Sequence, residues 1–310
     1  MFYILNPKMN KRSINIFCVF LSVIGHMNNK VFASEYDPDN APSTSGNSNL
    51  GVRAEQIKRP LCTNPEETKN AVELMNDAIK ELQHHATSTE DYSLLHKHDD
   101  GSVEYFKKHG NADIHKFIHK IPDADTYDSV INILFNYDCT QKIGKSIVKE
   151  KVVREYTPSL VMVQQRYTNK DLSFQGYYYA ISKKDHISND TTVIALASAN
   201  INDHNKADQK NYKNDILERA NSFTAEVDSE EDIRKGKLKK MFVNLSGCLI
   251  IKKHNHIDIT HISSMNRNAF PGPNARVKKS IAKKLETYIN LRYFFSRKYP
   301  ENSITSFLFK

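Results

Sequence analysis

Alternating apolar and polar residues from Lys237 to Ile262 run through a proline-bearing turn into one long basic amphipathic stretch, Asn274 to Lys298. A period of two marks strands with one buried face, and a period of 3.6 marks a helix with one apolar stripe. Val277, Ile281, Leu285, Tyr288 and Ile289 form that stripe, and Lys278, Lys279, Lys283, Lys284 and Arg292 lie elsewhere on the turn. A sheet closed by a terminal helix of this length is expected to enclose an interior, and no catalytic group marks its strands.

The N-terminus reads as an address. Lys8, Lys11 and Arg12 precede an apolar run, Ile14 to Ile24, and Val31 and Ala33 stand where a signal peptidase reads, so cleavage is expected after Ala33. The run is too short to span a bilayer. Residues 1–33 hold four basic residues and no acid, so their removal takes the formal net charge from +8 to +4, too mild for a nucleic-acid partner. Cys62, Cys139 and Cys248 then remain, an odd number without CxxC spacing, which excludes a disulfide-stapled fold. Ser34 to Gln56 is rich in Ser, Asn, Pro and Asp and reads as a linker. The expected organisation is a leader (1–33), a linker (34–60), one domain (61–295) and a tail (296–310).

Order begins at Asn64, which can cap a helix with Pro65 at its first position and Glu67 placed to answer the cap's own amide. Val72, Met75, Ile79 and Leu82 share one face of this helix, which ends near His84 and His85, read as cations favoured by the helix C-terminus. Strand-like runs follow at Tyr92–Lys97, Val103–Lys108 and Asp113–Ile121, the first two joined by an Asp99-Asp100-Gly101-Ser102 turn. Pro122 and Asp125 open a second helix carrying Tyr127, Val130, Ile131, Leu134 and Phe135.

Ser159 to Thr168 places Leu160, Met162, Gln164 and Arg166 on one strand face and Val161, Val163, Gln165 and Tyr167 on the other. Gln175-Gly176 leads into Tyr177, Tyr178 and Tyr179, and Thr191 to Ile201 lines up Ala195, Ala197 and Ala199, small residues expected to leave room for a ligand. Asn202 to Ile233 is polar and reads as an insertion or flap. Gly247 allows a bend in the following strand.

The order helix, three strands, helix, further strands and terminal helix resembles the START lipid-transfer fold. Longer tracts sharpen the likeness: Cys62 to Asn76, Leu160 to Tyr167, Ser198 to Asn205 and Asp232 to Lys240 look like the fam-a exported proteins of rodent malaria parasites. The resemblance covers roughly residues 61 to 270 and the leader. It implies an α+β helix-grip fold, a curved antiparallel sheet around a long C-terminal helix with an internal lipid tunnel, and it implies phospholipid transfer, phosphatidylcholine being proposed for some members. It also implies secretion to the parasitophorous vacuole or export into the host cell. Export signals of the form Arg-x-Leu-x-Glu/Asp/Gln are approached by Arg59-Pro60-Leu61-Cys62-Thr63, which ends in threonine instead.

A carrier must replace water around two acyl chains at about 0.8 kcal/mol per methylene, so it needs an apolar interior. A choline headgroup is held by aromatic faces, best by tryptophan, and this chain has none, so tyrosines must serve. The expected ligand-binding residues are Arg166, Tyr167, Tyr177, Tyr179, Met162, Ala197, Ile281, Leu285 and Tyr288. Arg166 can donate two hydrogen bonds to a phosphate, or equally form a structural ion pair. Expected partners are a phospholipid ligand and, transiently, a membrane surface, with the chain a monomer; the alternative is an exported protein that keeps the fold and binds a host protein through its insertion.

No Gly-x-Ser-x-Gly, HExxH, phosphate-loop or dinucleotide fingerprint occurs, so no enzyme and no cofactor is expected. His96-x-His98 with Asp99, and His254-x-His256 with His261, lack the spacing that completes a metal site.

Overall fold

The computed structural model describes residues 59–137, 147–169, 174–207 and 212–265. The leader, nearly all of the linker, Cys139, the C-terminal helix expected at Asn274 to Lys298, and with it Ile281, Leu285 and Tyr288, lie outside the described residues.

Helix α1 (Pro65–Thr87) starts where the sequence predicts: the Asn64 side chain accepts from the amides of Glu66 (3.0 Å) and Glu67 (3.1 Å). Glu67 does not close a capping box; its carboxylate instead accepts from Arg154 and from the Tyr156 hydroxyl (2.7 Å), tying the helix start to the sheet. Ala71, Leu74, Met75, Ala78, Ile79 and Leu82 are buried along one stripe.

Three strands follow: β1 (Ser93–Lys97), β2 (Val103–His109) and β3 (Ala112–Pro122). Gly101, at φ +80°, makes the turn between the first two. Pro122 ends β3 rather than opening a helix. A short 3-10 turn, Ala124–Thr126, then leads into α2 (Tyr127–Phe135), whose buried face includes Ile133 in place of the expected Leu134.

The remaining strands are β4 (Ile147–Thr157), β5 (Leu160–Asn169), β6 (Phe174–Ser188), β7 (Thr191–Ala197), β8 (Asn200–Asn202), β9 (Thr224–Glu226), β10 (Lys239–Lys240), β11 (Val243–Lys252) and β12 (His256–Met265). The main sheet runs β1-β2-β3-β12-β11-β7-β6-β5-β4 with every neighbouring pair antiparallel, and β10 adds to β6 in parallel. Hairpins supply most of the main-sheet pairings; β3–β12, β7–β11 and β6–β10 join strands distant in sequence, and β8 pairs with β9 in a separate two-stranded sheet.

Helix α1 packs on β6, β7, β11 and β12. The continuous apolar core on this side joins Leu74, Met75 and Leu82 to Met162, Tyr177, Tyr179, Ile181, Ala195, Ala197, Leu245 and Ile262. The alanines of β7 lie in this core, where their small side chains let α1 approach the sheet closely. The insertion is no flap. Leu217, Phe223, Val227 and Ile233 belong to the same core, and the buried Asp203 takes hydrogen bonds from the Tyr177 hydroxyl (2.9 Å) and the Lys240 ammonium (2.9 Å). A short helix, α3 (Glu231–Arg234), completes it.

At the C-terminal end of α1, His84 is exposed but His85 is buried, so only the first matches the expected helix-end cation. Burial, and then the neighbouring His109, His84, Lys107 and Lys116, lower the His85 pKa from 6.5 to about 4. Lys116 takes over the cationic role, donating to the Ser88 carbonyl with its ammonium 3.7 Å from the Tyr92 ring centroid. Because the unfolded chain protonates His85 near pH 6.5 and the folded chain does not until about 4, the neutral-histidine contribution is intact above 6.5 and declines as pH falls towards 4. Linkage over that interval caps the loss at about 3 kcal/mol, and screening by water lowers it. In urea melts, His85→Phe should flatten the stability profile across that interval; an unchanged slope would assign the acid sensitivity elsewhere.

Candidate functional site

The sheet has a second side, and there the alternation of the strands builds a different surface. Register places Val161, Val163, Gln165 and Tyr167 of β5 beside Tyr178, Ala180 and Ser182 of β6, then Thr192, Ile194 and Leu196 of β7, then Cys248 and Ile250 of β11, then Ile259 and His261 of β12, then Phe117 and His119 of β3. Nearly all are buried, and apolar and polar groups are mixed among them.

Two features stand out chemically. At one end Glu150 of β4, 3% exposed, accepts from the Gln165 side-chain amide, while the carbonyl oxygen of that same amide accepts from both the Tyr167 hydroxyl (2.6 Å) and the Tyr178 hydroxyl. The two tyrosine rings lie 5.8 Å apart. Next to them Tyr137 donates to Ser182. Burial pushes the pKa values of Tyr137, Tyr167 and Tyr178 well up, so all three stay neutral donors. At the other end His119 and His261 stack at 5.2 Å, with their Nε2 atoms 3.1 Å apart, and Phe117 stacks on both. Between the ends sits Cys248, whose thiol burial pushes up to about 12, leaving it unreactive as a nucleophile. Helix α2 covers part of this surface through the Tyr127 hydroxyl, 2.9 Å from Thr192 Oγ1.

A buried carboxylate, three neutral phenols and an amide set in an aliphatic field can hold a polar or cationic group whose remainder is apolar. Such a surface offers no metal set: among the described residues no three His, Cys, Asp or Glu side chains are grouped to hold an ion. His98 is taken by Glu104 (2.7 Å) and His256 lies 3.2 Å from Asp258.

The expected ligand residues divide between the two sides. Met162, Tyr177, Tyr179 and Ala197 belong to the apolar core beneath α1, and only Tyr167 among the described ones reaches the opposite surface. Arg166 also lies on the α1 side. Its guanidinium is bidentate to Asp232 (2.5 and 3.0 Å), bonds Glu230 at 3.0 Å, and donates through Nε to Gln164 (3.2 Å). Of the two readings open for Arg166, the ion pair is the state observed. Glu150, Gln165, Tyr137 and Ser182 were not singled out from sequence. Alternation along β6 separates Tyr178 from Tyr177 and Tyr179, but only the pairing of β5 with β6, which sets Gln165 opposite Tyr178, brings it to the face of Tyr167, so the sequence groups Tyr167 with the wrong pair.

The fold is similar to that of solved START-type domains. Human StAR-related lipid transfer protein 5 matches with a TM-score of 0.56 at 9% identity, covering 73% of this chain and 96% of that one. Human STARD10 matches with a TM-score of 0.51 at 10% identity, covering 73% and 81%. No protein-family model matches the sequence, and no curated protein does. The chain has a START-like α+β fold.

Proposed function

We propose that this START-like chain is a non-enzymatic lipid carrier, holding a phospholipid against the sheet face opposite α1 and moving it between membranes. The observation that carries this reading is the mixed character of that face, a buried aliphatic field with Glu150, Gln165, Tyr167 and Tyr178 gathered at one end. Aliphatic residues replace water around acyl chains, and the polar end supplies headgroup contacts. The fold likeness supports it too, since one matching structure is named as a lipid transfer protein.

Phosphatidylcholine is the headgroup that fits best. A quaternary ammonium cannot donate hydrogen bonds and is attracted to aromatic faces and to a carboxylate, the combination that Tyr167, Tyr178 and Glu150 provide. The phosphate contact is not assigned to Arg166, which faces the other way. The fam-a-like tracts and the leader agree with a secreted protein that works in the vacuole or the host cell.

Mass spectrometry of lipid extracted from the purified full chain should find phospholipid, and labelled phosphatidylcholine should move from donor to acceptor vesicles. Glu150→Gln, nearly isosteric, should lower the preference for choline over uncharged headgroups by roughly three- to thirtyfold, the range expected for one desolvated cation contact. A chain that carries no lipid and transfers none is not a carrier.

A further inference from the structure

Helix α1 covers the sheet from β6 to β12, while the edge hairpin beyond it stays open. Strand β1 is exposed along its whole length, with Leu94 50% and Leu95 52% exposed. A bulge between Leu94 and His96 sets Leu95 outward at the sheet edge.

The charges of β1, β2 and β3 are sorted by face. Register puts Leu94 and Lys97 of β1, Val103, Tyr105 and Lys107 of β2, and Lys116, Ile118 and Lys120 of β3 on the α1 side. Both acids of these strands, Glu104 and Asp113, fall on the opposite side with Lys108. The neighbouring strand β12 brings one acid to the lysine face, Asp258, 4.0 Å from Lys120, and at the rim Asp91 lies 3.6 Å from Lys107. Lys107 and Lys116 are turned towards the end of α1, donating to the Glu90 and Ser88 carbonyls. Lys97 is exposed and the Lys120 side chain is 66% exposed, so these two can reach a partner while the inner pair adds to the field.

We propose that this face, two half-exposed leucines at a sheet edge beside the exposed Lys97 and Lys120, docks the protein on an anionic phospholipid bilayer. Leucine side chains can enter the boundary between headgroups and acyl chains, while ammonium groups meet phosphate and carboxylate in the plane above. The inference deepens the carrier reading and rests on it for its purpose, giving the carrier a place to meet the membrane; the binding itself is measurable without any transfer.

The test is co-sedimentation of the full chain with phosphatidylcholine vesicles made with and without phosphatidylserine. Binding should require phosphatidylserine and weaken with salt. Lys97→Ala with Lys120→Ala should lower the partition coefficient roughly thirtyfold, about fivefold for each lysine near an anionic surface. Leu94→Ser with Leu95→Ser should lower it on the order of tenfold, with only a small change in thermal melting because both side chains are already half in water. Equal binding to neutral and anionic vesicles, or no effect of the leucine pair, overturns the proposal. So does a dimer in light scattering that the leucine variant abolishes, which would give the face to a second copy of this chain. Retained co-purifying lipid with lost vesicle binding leaves the carrier reading standing; lost lipid with retained vesicle binding removes that reading alone.

Discussion

Gly247→Ala is expected to destabilise the protein by at least about 3 kcal/mol, or to prevent folding, because overpacking and backbone strain act together. Gly247 sits in β11 at φ +147°, a conformation that L side chains rarely adopt. A Cβ added there would lie 1.9 Å from the Ile194 carbonyl oxygen, 2.9 Å from its carbon and 2.6 Å from Leu82 Cδ1. The leucine end could shift. The Ile194 backbone could not, since Gly247 pairs with Ala195 and Cys248 with Ile194 in the middle of the sheet. Urea unfolding measures the loss, with Gly101→Ala as the control. Gly101 also has positive φ, +80°, but nothing lies within 4 Å of the added carbon, so only a conformational cost of about 1 kcal/mol is expected. Equal losses at the two glycines would refute the close-approach argument.

Arg166→Ala is expected to cost about 2 kcal/mol, less than breaking a fully buried pair would, because Glu230 and Asp232 are partly open to water. The variant strands Asp232, leaves Glu230 to Lys151 and Gln164, and loosens α3 and the insertion from β5. Acid should reveal the same contact. The hydrogen bond from Arg166, opposed by burial, holds the Asp232 pKa below 3.8. Burial opposes ionisation of Glu230, but hydrogen bonds from Lys151 and Gln164 outweigh it and bring its pKa from 4.5 down to about 2. Carboxylates depressed in the folded state stabilise it above their unfolded pKa values and lose that contribution as pH falls through the folded ones. The difference between wild type and Arg166→Ala should therefore be full at neutral pH and shrink as the pH falls below about 3.8 and Asp232 is protonated. Undiminished stability in the variant, with impaired phospholipid transfer, would make Arg166 a ligand contact after all.

These two predictions mark where reading by pattern stops. The Asn64 cap, the β1–β3 hairpins and the facing of β5 follow from local chemistry, because caps, turns and alternation are set within a few residues. Arg166 reads equally as a headgroup contact or an ion pair along the chain, and the choice is non-local: its carboxylate partners lie 64 and 66 residues further on. The alanine row of β7 read as free space because nothing in β7 indicates which helix packs over it. His85 read as a cation because a helix end favours one, and only packing showed that Lys107 and Lys116 crowd it.

By itself the sequence marked α1, β1–β3, α2, β5–β7, β11 and β12, since periodicity and capping depend on near neighbours; β4 and the short strands β8–β10 went unmarked, and the START-like architecture rested on resemblance to that fold. The tertiary structure alone decided which side of the sheet α1 fills and which side gathers Glu150 with the tyrosines. A strand's alternation separates two faces but does not say which one meets a helix. That depends on partners far along the chain, and on close contacts such as Leu82 over Gly247, where the absence of a single carbon sets how near the helix can come.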